Sequence, residues 1–138
     1  MESIDQTALA KGMNLLKAFK DVTGNGEMQM QTMLTFLYVA YRHPNSVPMR
    51  EIEQQFGFTQ TTNSRNVHYW AMTEAEVERA SRQRAKGNFA EAKAAVKDAG
   101  GAAMLKVEVD PLYAKRKLIT LTSKGQKFAG MLSKTLGF

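Results

Sequence analysis

Residues 47–72 read VPMREIEQQFGFTQTTNSRNVHYWAM. Pro48 suits the first turn of a helix, where its missing N–H would have no partner anyway. Met49, Ile52 and Phe56 follow at three- and four-residue spacing and form one apolar face. Gly57 then predicts a stop, with Phe58 able to pack under the turn. Thr59 offers a side-chain oxygen to cap a second helix, which carries Val67 and Trp70 inward. Helix, short glycine turn, helix is the helix-turn-helix layout.

Downstream, Thr73-x-x-Glu76 reads as a capping box. It predicts an inserted helical stretch near 72–88, broken at Gly87. Asn88-x-x-Glu91 restarts a helix that runs through Ala99 and ends at Gly100-Gly101. MLKVEVD (104–110) alternates as a strand does, and RKLITL (116–121) reads as a second strand, with a hairpin connection between them. Thr122-Ser123-Lys124-Gly125 opens a last helix with Phe128, Met131, Leu132 and Leu136 on one face. Upstream, residues 6–20 form a helix on which Ala8, Leu15, Leu16 and Phe19 share a stripe, and Thr23-Gly24-Asn25-Gly26 breaks it. Residues 27–42 form a stronger helix, striped by Met30, Met33, Leu34, Leu37, Tyr38 and Tyr41. The expected fold is mainly α with a small β-hairpin, a winged helix-turn-helix in one domain spanning 1–138.

The chain has 138 residues, enough for one core, and no window approaches 18 uninterrupted apolar residues. No membrane association is therefore expected. There is no cysteine, which excludes disulfides, thiolate catalysis and Cys-based zinc sites. The N-terminus lacks a signal-peptide core. Net charge is +6, unevenly spread: residues 1–58 sum to −1 and residues 59–138 to +7. Such a field suits a polyanion, though a soluble protein with a basic surface would also show it.

The second helix of the helix-turn-helix offers Gln60, Thr61, Thr62 and Ser64 near its N-terminus, short side chains that can hydrogen-bond base edges. Arg65 adds a possible bidentate guanine contact. No acidic residue occurs between Phe58 and Thr73. His68 and Tyr69 lie further along, placed either to reach phosphates or to pack. In the hairpin, Tyr113, Lys115, Arg116 and Lys117 are candidate wing contacts, Lys117 the weakest, because neighbours in a strand point to opposite faces. Arg79, Arg82, Arg84 and Lys86 in the inserted stretch could extend a phosphate footprint or pair with Glu74, Glu76 and Glu78.

These residues resemble the MarR family of winged-helix transcription regulators, whose wing reads D-P-x-D-R-R-x-x-x-x-x-L-T-x-x-G. Asp110-Pro111, Leu121-Thr122 and Gly125 fall at that spacing, and Ser64-Arg65 with Trp70 is similar to the family's recognition helix. Tyr113 and Ala114 stand where the family has Asp and Arg, and Asn63 and Asn66 where it has apolar core residues. The similarity spans roughly 28–71 and 94–136. It implies a sequence-specific double-stranded DNA-binding regulator, a homodimer on a pseudo-palindromic site, and a repressor, since repression needs only occlusion of a promoter. Residues 1–26 and 122–138 would form a helical dimerisation region through Leu15, Leu16, Phe19, Phe128, Met131, Leu132 and Leu136, stripes that could instead close a monomer core. Residues 47–121 would form the DNA-binding lobe. The expected compartment is the cytoplasm of a bacterial or phage-infected cell.

Other readings stay open: a replication or partition factor, a single-strand binder, or an interaction module that has lost DNA contact. Two histidines without ligand spacing, and no nucleophile elbow or Walker loop, leave little for catalysis or metal binding. No enzyme activity, metal or cofactor is expected, and no pattern identifies a small-molecule effector.

Overall fold

The computed structural model describes residues 3–73, 75–76 and 103–138. Helix α1 spans Gln6–Thr23, α2 Met30–Arg42, α3 Met49–Phe56, α4 Gln60–Ala71 and α5 Ser123–Thr135. Three antiparallel strands, β1 (Val47–Pro48), β2 (Leu105–Asp110) and β3 (Tyr113–Leu121), lie in the order β1-β3-β2. The fold is mainly helical with a small sheet, and a helix-turn-helix followed by a wing is defined by element order and register. Among the described residues, no helix is long and apolar enough to cross a membrane.

The helix-turn-helix forms as its residues dictate. Gly57 takes φ 70°, a left-handed conformation that costs a side-chain-bearing residue energy. Its N–H and that of Phe58 both donate to the Glu53 carbonyl, closing the end of α3. The Phe56 and Phe58 rings stack at 5.3 Å under the turn. Thr59 Oγ1 then accepts the Thr62 N–H at 3.2 Å and caps α4. Pro48 differs from expectation: it ends strand β1, paired with Leu118, and lies one residue outside α3. The sheet accordingly has a third strand, because Val47 pairs with Ile119 and fills the core beside it.

Four rings make the centre of the core: Phe19 of α1, Phe36 of α2, Trp70 of α4 and Phe128 of α5. All six pairs are in ring contact, with centroids 5.0 to 6.2 Å apart. The Trp70 indole N–H donates to the Thr32 carbonyl at 2.7 Å, which satisfies its one polar atom. Aromatic pairs contribute about 0.5–1.5 kcal/mol each beyond burial, in a domain whose whole stability is about 5–15 kcal/mol. This cluster is therefore the core of a single chain. Phe19, Phe128 and Leu132, expected at a dimer surface, are consumed here and buried within one copy.

Helix α2 turns a different face inward from the one its apolar residues mark. Thr32, Thr35, Phe36 and Val39 are buried, Met33, Leu34, Leu37 and Tyr38 are half-buried, and Met30 and Tyr41 are exposed. Elements pack on both flanks of α2, so the half-buried residues form its shoulders and Phe36 its keel. The threonines are tolerated because both hydroxyls have partners, Gln31 O for Thr35 and Asn66 Oδ1 for Thr32. The C-terminal end of α2 is tied to α3 where the Tyr38 hydroxyl donates to Glu51 Oε2 at 2.7 Å and Arg42 pairs with the same carboxylate.

Backbone hydrogen bonds join the end of α4 to the residues that precede β2. The Ala103 N–H donates to Met72 O at 2.8 Å and the Met104 N–H to Trp70 O at 2.9 Å, so the long intervening stretch starts and ends at one point. The inserted helix expected near 72–88 and the one ending at Ala99 fall almost wholly outside the described residues.

Candidate nucleic-acid interface

Helix α4, the second of the helix-turn-helix, buries Asn63, Asn66, Val67, Tyr69 and Trp70, which leaves one solvent face. That face carries Gln60, Thr61, Ser64, Arg65 and His68, all exposed and none acidic. Thr62, expected among the contacts, is half-buried, and its hydroxyl accepts a bond from the capping Thr59 hydroxyl at 3.0 Å. It belongs to the cap. Tyr69 packs edge-on against Trp70 and does not face solvent.

The wing is longer and tighter than the sequence suggests. Only Pro111 and Leu112 separate β2 from β3, so Tyr113 through Lys117 lie in strand and not in an open tip. The register explains how so short a turn is reached. Val109 pairs with Lys117, but the next residue, Asp110, pairs with Tyr113. Ala114, Lys115 and Arg116 therefore bulge out of the ladder, and a bulge turns side chains away from the regular pleat. The three successive cations are thus not bound by strict alternation.

Asp110 organises this end. Its carboxylate accepts the Leu112 N–H at 2.9 Å through Oδ1, and Oδ2 accepts Arg116 Nε at 2.7 Å and pairs with Nη2 at 2.6 Å. The Leu112 amide first, and the Arg116 guanidinium second, hold this carboxyl below the usual carboxylate range. Arg116, expected as a free wing contact, is first a strut that braces the turn, its guanidinium still half-exposed.

Between wing and helix-turn-helix lies a groove of about 660 Å³. Gln60 and Ser64 of α4 form one wall, and Tyr113, Lys115, Arg116 and Lys117 of β3 the other. Met49, Arg50 and Glu53 of α3 close the end. Six residues expected from sequence to touch DNA thus face one space, though they come from segments some fifty residues apart. Thr61, Arg65 and His68 stay outside it, on the rest of the exposed α4 face. Arg50 and Glu53 were not singled out from sequence. Their signal was their three-residue spacing on α3 and the rule that the first helix of this motif crosses the nucleic-acid backbone. Among the described residues Arg50, Lys115 and Lys117 form no ion pair, and with Glu53 the one acidic residue of the lining the groove presents a surplus of positive charge.

Arg79, Arg82, Arg84 and Lys86 lie outside the described residues. Of the dimerisation candidates not in the core, Leu15 and Leu136 are half-buried, and Leu16 and Met131 are exposed. Two residues not expected join them: Leu9 and Met13 are exposed on α1, seven and three residues before Leu16. Among the described residues no group of three or more His, Asp or Glu could hold a metal ion.

No family model matches the chain, and no curated protein matches it. A solved structure similar to it is that of a probable transcriptional regulator from Pseudomonas aeruginosa, 12% identical, with a TM-score of 0.44 over 91% of this chain and 73% of that one.

Proposed function

We propose that the protein is a sequence-specific double-stranded DNA-binding transcriptional regulator of MarR-like type. One observation carries the reading: the acid-free face of α4 borders the same groove as Lys115 and Lys117 of the wing, which form no ion pair among the described residues. In this arrangement α4 enters the major groove, where Gln60, Ser64 and Arg65 meet base edges, while Lys115 and Lys117 meet phosphates beside it. Arg50 at the start of α3 adds a backbone contact. The protein acts as a repressor by occluding a promoter.

A second copy completes the proposed binding unit. Leu9, Met13 and Leu16 form an exposed apolar stripe on α1, and Met131 on α5 is exposed as well. Burying such side chains between two copies favours association, each contributing up to about 1.5–3 kcal/mol when fully covered. Two α4 helices related by a two-fold axis would then read half-sites about one helical turn apart. Sedimentation equilibrium is expected to show a dimer at micromolar concentration, and Met13→Asp with Leu16→Asp a monomer. A wild-type monomer would refute the dimer.

The decisive experiment is selection of bound sequences from a random duplex library, followed by footprinting. A recovered inverted repeat is the expected result. Binding that ignores sequence at every salt concentration sinks the regulator reading. Because exposed Tyr113 lines the groove and single-strand binders stack bases on aromatics, a single-stranded competitor belongs in the assay. Preferential loss of duplex to that competitor would favour the single-strand function instead.

A further inference from the structure

The wing ends in apolar side chains held in place by charged ones. Leu112 at the turn is 91% exposed, and Val109 and Tyr113 beside it are exposed too. Solvated turns favour Gly, Pro, Asn, Asp and Ser, so Pro111 is ordinary here and Leu112 beside it is the unusual turn residue. The proline ring fixes its own φ. The Leu112 N–H is bound by the Asp110 carboxylate, which is only 4% exposed and is bound in turn by Arg116. The backbone that carries this exposed leucine side chain is therefore anchored.

The guanidinium that a wing would ordinarily extend is committed to Asp110. What projects past it is leucine. Val107 is the last β2 residue paired with a fully buried partner, Ile119, and Asp110 lies three residues beyond it. At about 3.3 Å per residue the turn lies about 10 Å along the strand from that pair, against a minor-groove depth of about 7.5 Å. Lys115 and Lys117, just behind the turn, carry no ion pair among the described residues.

We propose that Leu112 is an apolar wedge which enters the minor groove beside the α4 contact, partly unstacks a base step and bends the duplex. The inference rests on the DNA-binding reading above and deepens it. An apolar side chain cannot read a base edge or bind phosphate, but inserted between steps it kinks DNA toward the major groove. The bend brings flanking phosphates toward Lys115 and Lys117. Flexible pyrimidine–purine steps accept such a kink at least cost, so they belong at the wedged position.

The test measures affinity and end-to-end energy transfer on a doubly labelled duplex carrying the library-selected site. Wild type, Leu112→Ala and the pair Lys115→Ala with Lys117→Ala are compared. Leu112 is almost fully exposed, so its truncation leaves the fold intact, which circular dichroism checks. Expected is a bent complex for wild type, and for Leu112→Ala a straighter duplex bound about tenfold more weakly. The lysine pair is expected to lose affinity and salt dependence while the remaining complex stays bent. A Leu112→Ala complex as bent and as tight as wild type overturns the wedge and leaves the DNA-binding reading standing. A wild type with no selectable duplex site overturns both.

Discussion

The carbonyl oxygen of Met104 sits 2.0 Å from where a β-carbon would stand at Gly125, and its carbonyl carbon 3.0 Å away. Both are backbone atoms, and Met104 is held by Trp70 O on one side and by the Thr122 N–H, at 3.2 Å, on the other. Thr122 also caps α5 by accepting the Gly125 N–H at 3.0 Å. The Thr122-x-x-Gly125 spacing thus has one physical reason: the cap and the close approach lock the junction of β3 and α5 onto the backbone at Met104, just ahead of β2. Gly125→Ala is expected to destabilise the protein by about 3 kcal/mol, the upper range for overpacking, read as a lower urea midpoint at unchanged slope.

Asn63 and Asn66 are buried on the inner face of α4. Each is half-satisfied: Asn63 Nδ2 donates to Met49 O at 2.9 Å, and Asn66 Oδ1 accepts from Thr32 Oγ1 at 3.0 Å. Asn63 Oδ1 and Asn66 Nδ2 have no partner among the described residues. Asn66→Leu alone strands the Thr32 hydroxyl and is expected to cost about 1 kcal/mol. Combined with Thr32→Val, which removes both partners, the change should be neutral or stabilising. A double variant less stable than the single one in chemical denaturation would contradict this.

The wing is expected to loosen in acid. Asp110 binds its proton less readily when folded, so it contributes stability that is fully present above the unfolded value, about 3.9, and is lost as pH falls through the lowered folded value. Amide protection at Leu112 should hold down to about pH 4 in wild type and fall below it. In Asp110→Ala, which lacks the acceptor, it should be low and insensitive to pH throughout. Equal protection in the two proteins at neutral pH would remove Asp110 from this role.

Lys115→Ala and Lys117→Ala are each expected to reduce the slope of log affinity against log salt by about one. They should weaken all duplexes alike, since phosphate contacts carry no sequence information. Arg65→Ala, on the α4 face, should instead relax preference at one position at a cost of about 1–3 kcal/mol. Arg116→Ala should behave differently from its lysine neighbours. It frees Asp110 and disorders the turn, so its effect on DNA bending should exceed its effect on salt dependence.

Local chemistry already dictated much of this architecture. The stop at Gly57, the caps at Thr59 and Thr122, and the two long strands follow from side chains acting within a few residues of themselves, and that range is readable in one dimension. The inward face of α2 was not readable. Its threonines look polar until Asn66, thirty-four residues on, supplies a partner for Thr32. The burial of Phe19 and Phe128 was not readable for the same reason: they belong to the end helices in sequence, yet the ring cluster that absorbs them draws on four separate helices.

The sequence by itself determined a helix-turn-helix, a basic hairpin and a charge surplus in its second half. Tertiary structure alone decided that Gln60, Ser64 and the wing cations share one groove, because that depends on β3 pairing with Val47 and on α4 packing through Trp70. It alone also decided that Arg116 braces and Leu112 projects. A three-residue bulge in the β2–β3 register sets where each of those side chains lies, and register is a property of two strands together.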